Sequence, residues 1–216
     1  MPVSKRGLRG TAVLIVCAVS WVGLAAPAAV GTAASRIAVI GDSYTAGSDE
    51  GGNGSRAWPE LVRGLLALEG VEIDADIAAE GGAGYGQRGD GGSVFEDLTA
   101  RAVRRSDALI VFFGSRNDQP VDAQRFPALA ADTFQLARFA APGAKVLVIG
   151  PPWPTASPSP EVLKIRDSLR DQAAQNWFVG REDLIGQDGV HPTDAGHAYM
   201  AAKIAPLIYA QLTIRV

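Results

Sequence analysis

The chain has 216 residues, 47% of them hydrophobic and 20% charged, which suits one ordinary domain and excludes a disordered tail, a collagen and a coiled coil. Its net charge of −3 argues against nucleic-acid binding, because phosphates require a basic face. One cysteine and two histidines exclude an internal disulfide, a multi-cysteine zinc site and a three-histidine metal site.

Residues 1–34 differ in composition from the rest of the chain. Three basic residues precede an apolar run from 12 to about 26, and small residues follow. This order is typical of a secretory signal peptide, with cleavage expected before Ser35 or, alternatively, within 26–28. The apolar run of about 15 residues is shorter than the ~20 that span a bilayer, so an uncleaved membrane anchor is the less favoured alternative.

Cleavage would leave residues 35–216 as an exported domain in the cell envelope or outside the cell. All three charges of the removed segment are basic, so 17 of the 20 basic residues remain and the net charge moves from −3 to −6. The single cysteine, Cys17, would also leave. We expect this domain to be a monomer stabilised by packing alone, with no stable insertion into a membrane.

Strands and helices alternate along this domain. In chain order the pattern predicts a strand at 36–40, a helix at 58–69, a strand at 71–79, a glycine-rich stretch at 81–92, a helix at 93–105 capped by Ser93, a strand at 108–113, a helix at 128–140, a strand at 145–149, and helices at 161–175 and 194–212. A fifth strand is stunted or absent, since residues 176–180 are its only candidate. The pattern indicates an α/β fold with a parallel sheet covered on both faces.

Ser43 is the candidate nucleophile. It follows the first predicted strand, and ligands of parallel sheets bind beyond the carboxyl ends of the strands. A serine hydroxyl attacks an ester only when a base accepts its proton. The alternative is a structural role as the cap of a following helix.

His191 is the candidate base, because an imidazole takes up and returns a proton near neutral pH. Asp188 precedes it by three residues, a spacing that lets a carboxylate reach the ring and hold its tautomer. A turn role before Pro192 is the alternative. His197, three residues after Asp194, is interpreted as structural.

An oxyanion requires fixed hydrogen-bond donors. The backbone N–H of Ser43, the N–H groups of the glycine-rich stretch and the side chain of Asn117 are available. A turn role for Asn117 and a flexible loop at 81–92 are the alternatives.

Together these blocks resemble the SGNH (GDSL) hydrolases, especially secreted actinobacterial members. They are Gly41-Asp42-Ser43, the glycine after the second strand, Asn117-Asp118, and Asp188-x-x-His191, in that order. The resemblance implies a three-layer α/β/α, flavodoxin-like fold and an esterase or lipase activity. It implies that Ser43 is the nucleophile, His191 the base and Asp188 its orienting acid, with the N–H groups of Ser43 and Gly84 and the side chain of Asn117 as the oxyanion hole.

The sequence departs from the family pattern in two places. The third block is usually Gly-x-Asn-Asp, whereas Gly114–Asn117 has one extra residue, which leaves open whether Arg116 points into the site or to solvent. The short or missing fifth strand weakens the expected support under Asp188 and His191.

Other interpretations are less favoured. Residues 84–89 spell GxGxxG, but after the second predicted strand instead of the first, so a dinucleotide site is not expected. Thr45 replaces the last glycine of the α/β-hydrolase elbow. No metal or cofactor is expected, since the acidic residues around His191 are explained by a turn and a helix cap.

The predicted substrate is a short-chain acyl ester or an acetylated carbohydrate or lipid. Two alternatives stay open: a non-catalytic binding protein of the cell envelope and a transacylase.

Overall fold

The computed structural model describes residues 33–155, 157–172, 175–176 and 181–214, which belong to one compact unit. Residues 1–32 of the predicted signal peptide and residues 177–180 of the candidate fifth strand lie outside these ranges. No helix within them combines the length and the apolar character needed to cross a bilayer.

Five parallel strands form the central sheet. They are β1 (Ser35–Gly41), β2 (Ile73–Ala79), β3 (Leu109–Phe113), β4 (Lys145–Ile149) and β5 (Gln175–Asn176). Their order across the sheet is 2-1-3-4-5, the flavodoxin-like order. The four predicted strands are confirmed with ends moved by two residues or fewer, and β5 comprises Gln175 and Asn176 among the described residues.

Helices connect the strands. They are α1 (Ser43–Ala46), α2 (Trp58–Leu68), α3 (Phe95–Ala102), α4 (Phe126–Ala140), α5 (Pro160–Gln172) and α6 (Asp194–Thr213). Short 3-10 turns occupy Gly54–Arg56, Arg116–Asp118 and Glu182–Leu184. All five predicted helices are present, and α1 was not predicted because four residues carry no periodic signal.

The N-cap of α3 differs from the prediction. Val94, not Ser93, is the capping residue, and the carboxylate of Asp97 accepts its N–H at 3.1 Å. Ser93 instead accepts a hydrogen bond from the Arg101 side chain through its hydroxyl. The helix therefore begins two residues later than the pattern of Ser93 and Glu96 indicated.

The sheet has an apolar core on each face, which gives three layers. Alternate residues of β1 face opposite sides: Ala38 and Ile40 pack with α3 and α4, whereas Ile37 and Val39 pack with α2 and α6. The strands are therefore buried on both faces, and polar groups can reach solvent at their carboxyl ends, where the loops begin.

Candidate active site

Ser43 is held at the carboxyl end of β1, at the first turn of α1. The N-cap of this helix is Asp42, whose carboxylate accepts the Tyr44 N–H at 2.9 Å. The hydroxyl of Ser43 is therefore not used as a cap. A Cβ at Gly41 would lie 2.2 Å from the Thr45 hydroxyl, so only glycine permits this tight strand-to-helix turn.

The structure brings Ser43, His191 and Asp188 together. The Nε2 of His191 lies 2.9 Å from Ser43 Oγ, and its Nδ1 lies 2.5 Å from Asp188 Oδ2. The other oxygen of Asp188 accepts the N–H groups of Val190 and His191 at 2.8 and 2.9 Å. Partial burial works to raise the pKa of Asp188, but these hydrogen bonds outweigh it and lower the pKa to about 2. The carboxylate is thus ionised when it faces the imidazole at neutral pH.

The turn that carries Asp188 and His191 is supported by the segment that follows the nucleophile. The two carboxylate oxygens of Glu50 accept the N–H groups of Gln187 and Asp188 at 3.0 and 3.1 Å. The hydroxyl of Tyr44 donates to the carbonyl of Val190 at 2.6 Å. Neither contact was predicted, because no local sequence signal links residues that are 137 to 146 positions apart.

His197 and Asp194 hold the same segment from α6. His197 is fully buried, and its Nδ1 accepts the Trp58 N–H at 3.3 Å. Burial lowers the pKa of His197 to about 4, so its ring is neutral at neutral pH. Asp194 accepts the Gly52 N–H at 2.9 Å and pairs with Arg56 at 2.8 Å. These contacts give both residues a structural role, as predicted for His197.

Asn117 lies beside the nucleophile motif. Its Nδ2 donates to the carbonyl of Ala83 at 2.9 Å and lies 3.3 Å from Asp42 Oδ2. Asp42 is fully buried, and burial raises its pKa to about 7. The carboxyl group of Asp42 therefore caps α1 and also contacts the side chain of Asn117, which is predicted to donate to the oxyanion.

Gly84 is turned toward its own loop. Its N–H donates to the carbonyl of Gln87 at 2.9 Å, and a Cβ on Gly84 would lie 2.4 Å from a carboxylate oxygen of Asp118. Close packing against Asp118 thus explains why this residue is glycine. The N–H of Gly84, which the family resemblance assigned to the oxyanion hole, is bonded within its own loop in this conformation.

Asp118 fills the loop that spells GxGxxG. Its two oxygens accept the N–H groups of Tyr85, Gly86 and Gln87, each at 2.8 Å. Burial raises the pKa of Asp118, against these hydrogen bonds. The amide groups that a dinucleotide phosphate would need are therefore already paired with a side chain of the same chain.

Arg116 reaches into the site region. The extra residue of this block is accommodated by Ser115, which is buried and has a left-handed φ of 85°. The guanidinium carbon of Arg116 lies 5.0 Å from the ring centroid of Trp153, and one of its nitrogens lies 3.4 Å from the Tyr44 hydroxyl. The side chain thus points toward the nucleophile block.

Comparison with known proteins adds a family and a fold. The model of the GDSL-like lipase/acylhydrolase family matches residues 39–199. Over 190 residues the chain is 57% identical to a GDSL lipase of Mycobacterium tuberculosis, and the match covers 82% of each protein.

Solved structures with low sequence identity share the fold. TesA superposes with a TM-score of 0.64 at 23% identity, covering 82% of this chain and 99% of TesA. A lipase/acylhydrolase from Enterococcus faecalis gives 0.62 at 20% identity, covering 82% and 96%. A family two carbohydrate esterase from Clostridium thermocellum, solved with cellohexaose, gives 0.60 at 20% identity over 82% of this chain. This chain spans 64% of that esterase, less than two thirds of its length.

Proposed function

Because the chain belongs to the GDSL-like lipase/acylhydrolase family of serine ester hydrolases, we propose that it is an exported esterase that uses Ser43, His191 and Asp188 as its catalytic triad. The observation that carries the proposal is the unbroken line of contacts from Ser43 Oγ through both nitrogens of His191 to Asp188. The composition of residues 1–34 supports export.

The reaction proceeds through an acyl-enzyme. As Ser43 Oγ attacks the ester carbonyl carbon, His191 Nε2 accepts the hydroxyl proton, and Asp188 stabilises the imidazolium that forms. When the C–O bond of the ester breaks, His191 returns this proton to the departing alcohol. Water then attacks the acyl group with His191 again as base, which releases the carboxylic acid and restores the Ser43 hydroxyl.

The oxyanion is stabilised by the N–H of Ser43, the side chain of Asn117 and an N–H of the loop after β2. The family resemblance assigns this N–H to Gly84, and Gly81 is a second candidate in the same loop. Ala79 pairs with Gly41, and the Glu80 N–H donates to the Gly41 carbonyl at 3.2 Å, so the loop that contains Gly81 starts beside the end of β1. Within the described residues, the Gly81 N–H donates to no protein acceptor, whereas that of Gly84 is bonded to Gln87.

The substrate class that we propose is a carboxylic ester with a short acyl chain, or an acetylated carbohydrate or lipid. The fold shared with carbohydrate esterases is compatible with this class. A transacylase would form the same acyl-enzyme and pass it to an alcohol instead of water, so analysis of the products in the presence of an acceptor alcohol separates the two reactions.

Replacement of the nucleophile tests the proposal. We expect Ser43→Ala to lower the kcat for p-nitrophenyl acetate by at least about a thousandfold, because removing a triad member leaves only binding and oxyanion stabilisation. Ser106→Ala is the matched control, since Ser106 is an exposed serine of a turn, and its rate should equal that of the wild type.

Equal turnover by the wild type and Ser43→Ala would overturn the hydrolase proposal. A binding protein without catalysis would turn over no ester above the buffer rate, and its ligand affinity would survive the substitution.

A further inference from the structure

We propose that Arg116 and Trp153 form a subsite beside the triad that binds a negatively charged group of the ester substrate. This inference rests on the proposed esterase function and names a substrate class that the triad alone does not specify.

The guanidinium of Arg116 contacts the residue that directly follows the candidate nucleophile. Asn117, the expected oxyanion donor, is the next residue in the chain, and Tyr44, which contacts the guanidinium at 3.4 Å, directly follows Ser43. The hydroxyl of Tyr44 also donates to the carbonyl of Val190, the neighbour of His191. A group bound by Arg116 would therefore lie next to an ester positioned on the triad.

The side chain of Arg116 is held in place from two sides. The ring of Trp153 lies 5.0 Å from the guanidinium carbon, a distance at which the aromatic face attracts a cation. Because the proton of the Tyr44 hydroxyl is donated to Val190, its oxygen is free to accept from Arg116. Trp153 is itself fixed by a hydrogen bond from its indole nitrogen to Thr155 at 3.0 Å.

The charge of Arg116 has no carboxylate partner in contact. None of the ion pairs found between described residues includes Arg116, and the Tyr44 hydroxyl is the acceptor found there for its side chain. A guanidinium has five N–H donors, so most of them remain available. The residue is half-buried, which leaves them accessible to a ligand.

These features match an anion better than a neutral group. A guanidinium forms paired hydrogen bonds with a carboxylate or phosphate, and partial burial beside an aromatic ring strengthens them. The competing explanation is structural: the positive charge of Arg116 offsets the buried Asp42 nearby. That role requires no response to the charge of the substrate.

Matched esters distinguish the two roles. The first pair is 4-acetoxybenzoate and 4-acetoxybenzamide, which differ in charge on the alcohol side. The second is the mono-p-nitrophenyl ester of succinic acid and p-nitrophenyl butyrate, which differ on the acyl side. In at least one pair we expect the wild type to favour the anionic ester about tenfold in kcat/KM, mainly through KM, since a charge-assisted hydrogen bond is this strong.

Variants assign that preference to Arg116. We expect Arg116→Gln to abolish the anionic-to-neutral ratio and Arg116→Lys, which keeps the charge without the planar fork, to retain part of it. Arg125→Gln, which removes an exposed arginine at the start of α4, should leave the ratio unchanged. Added salt should reduce the ratio in the wild type.

Equal kcat/KM within both pairs, or a preference that survives in Arg116→Gln, would overturn the subsite. If Arg116→Gln does not fold, competitive inhibition of the wild type decides: benzoate should inhibit more strongly than benzamide, and equal inhibition would overturn the proposal. Failure of the wild type to hydrolyse any of the four esters would instead count against the proposed esterase function.

Discussion

Asp42 links the nucleophile motif to the interior of the protein. Its side chain is fully buried, caps α1 through the Tyr44 N–H and lies within reach of the amide of Asn117. A Cβ on Gly114 would lie 2.5 Å from the same carboxyl group, so no side chain fits between them. The aspartate of the motif thus orients both a helix and a candidate catalytic amide.

The buried position of Asp42 predicts a pH-dependent stability. Burial raises the pKa of Asp42 from 3.8 to about 7, so between these values the folded protein keeps a proton that the unfolded chain releases. Its contribution to the free energy of unfolding therefore falls as pH rises from 4 to 7. We expect the wild type to lose on the order of 2 kcal/mol relative to Asp42→Asn across this window, measured by urea unfolding at each pH.

Asp97→Asn provides a control, since Asp97 is an exposed carboxylate that also accepts a backbone N–H at a helix start. Parallel pH profiles of the wild type and Asp42→Asn would contradict the prediction.

The sequence identified most of the candidate site residues, but it did not identify which backbone N–H groups donate to the oxyanion. Ser43, Asp188 and His191 stand in short blocks with characteristic neighbours, and the structure brings them within hydrogen-bond distance. The glycine could not be chosen in the same way, because several glycines follow β2. The conformation of this loop depends on a carboxylate, Asp118, that accepts N–H groups from Tyr85 to Gln87 and lies more than 30 positions away.

At the level of elements, a loop supports the turn that carries Asp188. This turn is held by hydrogen bonds from the N–H groups of Gln187 and Asp188 to Glu50. Gly186 packs against the same carboxylate, since a Cβ there would lie 2.1 Å from a Glu50 oxygen. The segment between α1 and α2 therefore supports this turn.

Loss of this support should reduce the rate more than the binding of substrate. Glu50→Gln keeps the shape of the side chain but turns an NH₂ group toward a backbone N–H, so one of the two hydrogen bonds is lost. We expect kcat for p-nitrophenyl acetate to fall about tenfold with little change in KM, because a small displacement of His191 weakens proton transfer.

Glu60→Gln is the control, because Glu60 forms an exposed ion pair with Arg63 on α2. Its steady-state kinetics should equal those of the wild type. An unchanged kcat in Glu50→Gln, with an intact fold by circular dichroism, would refute this role.

Periodicity predicted the elements well because apolar residues in strands and helices report burial directly. The buried run of β3 and the spacing of Trp58, Val62 and Leu66 on α2 are examples. Boundaries were less certain, since caps such as Val94 with Asp97 depend on single hydrogen bonds. The link between Glu50 and the turn at Asp188 has no periodic signal and emerges only from the tertiary structure.

At the scale of the whole described domain, the sheet separates the two ends of the described range 33–214 from the proposed triad. β1 starts at Ser35, and α6 runs back from the proposed triad to finish beside the start of β4, where the Lys145 ammonium donates to the carbonyls of Gln211 and Ile214 at 2.6 and 2.7 Å. Ser43 and His191 lie at the opposite edge, where the strands end.

This polarity has a practical consequence for display on a solid support. A bead joined through a tag ahead of Ser35 should leave kcat/KM for a soluble ester within about twofold of the free value, because β1 starts at the edge of the sheet opposite Ser43 and His191. Residues 35–216 contain no cysteine, so Asp49→Cys would introduce a single attachment point in the loop next to Glu50. Attachment there should block access of the ester to Ser43 and His191. Equal losses from both attachments would contradict this orientation. The fold that brings Ser43, His191 and Asp188 together therefore also decides which way the enzyme faces when it is fixed ahead of Ser35.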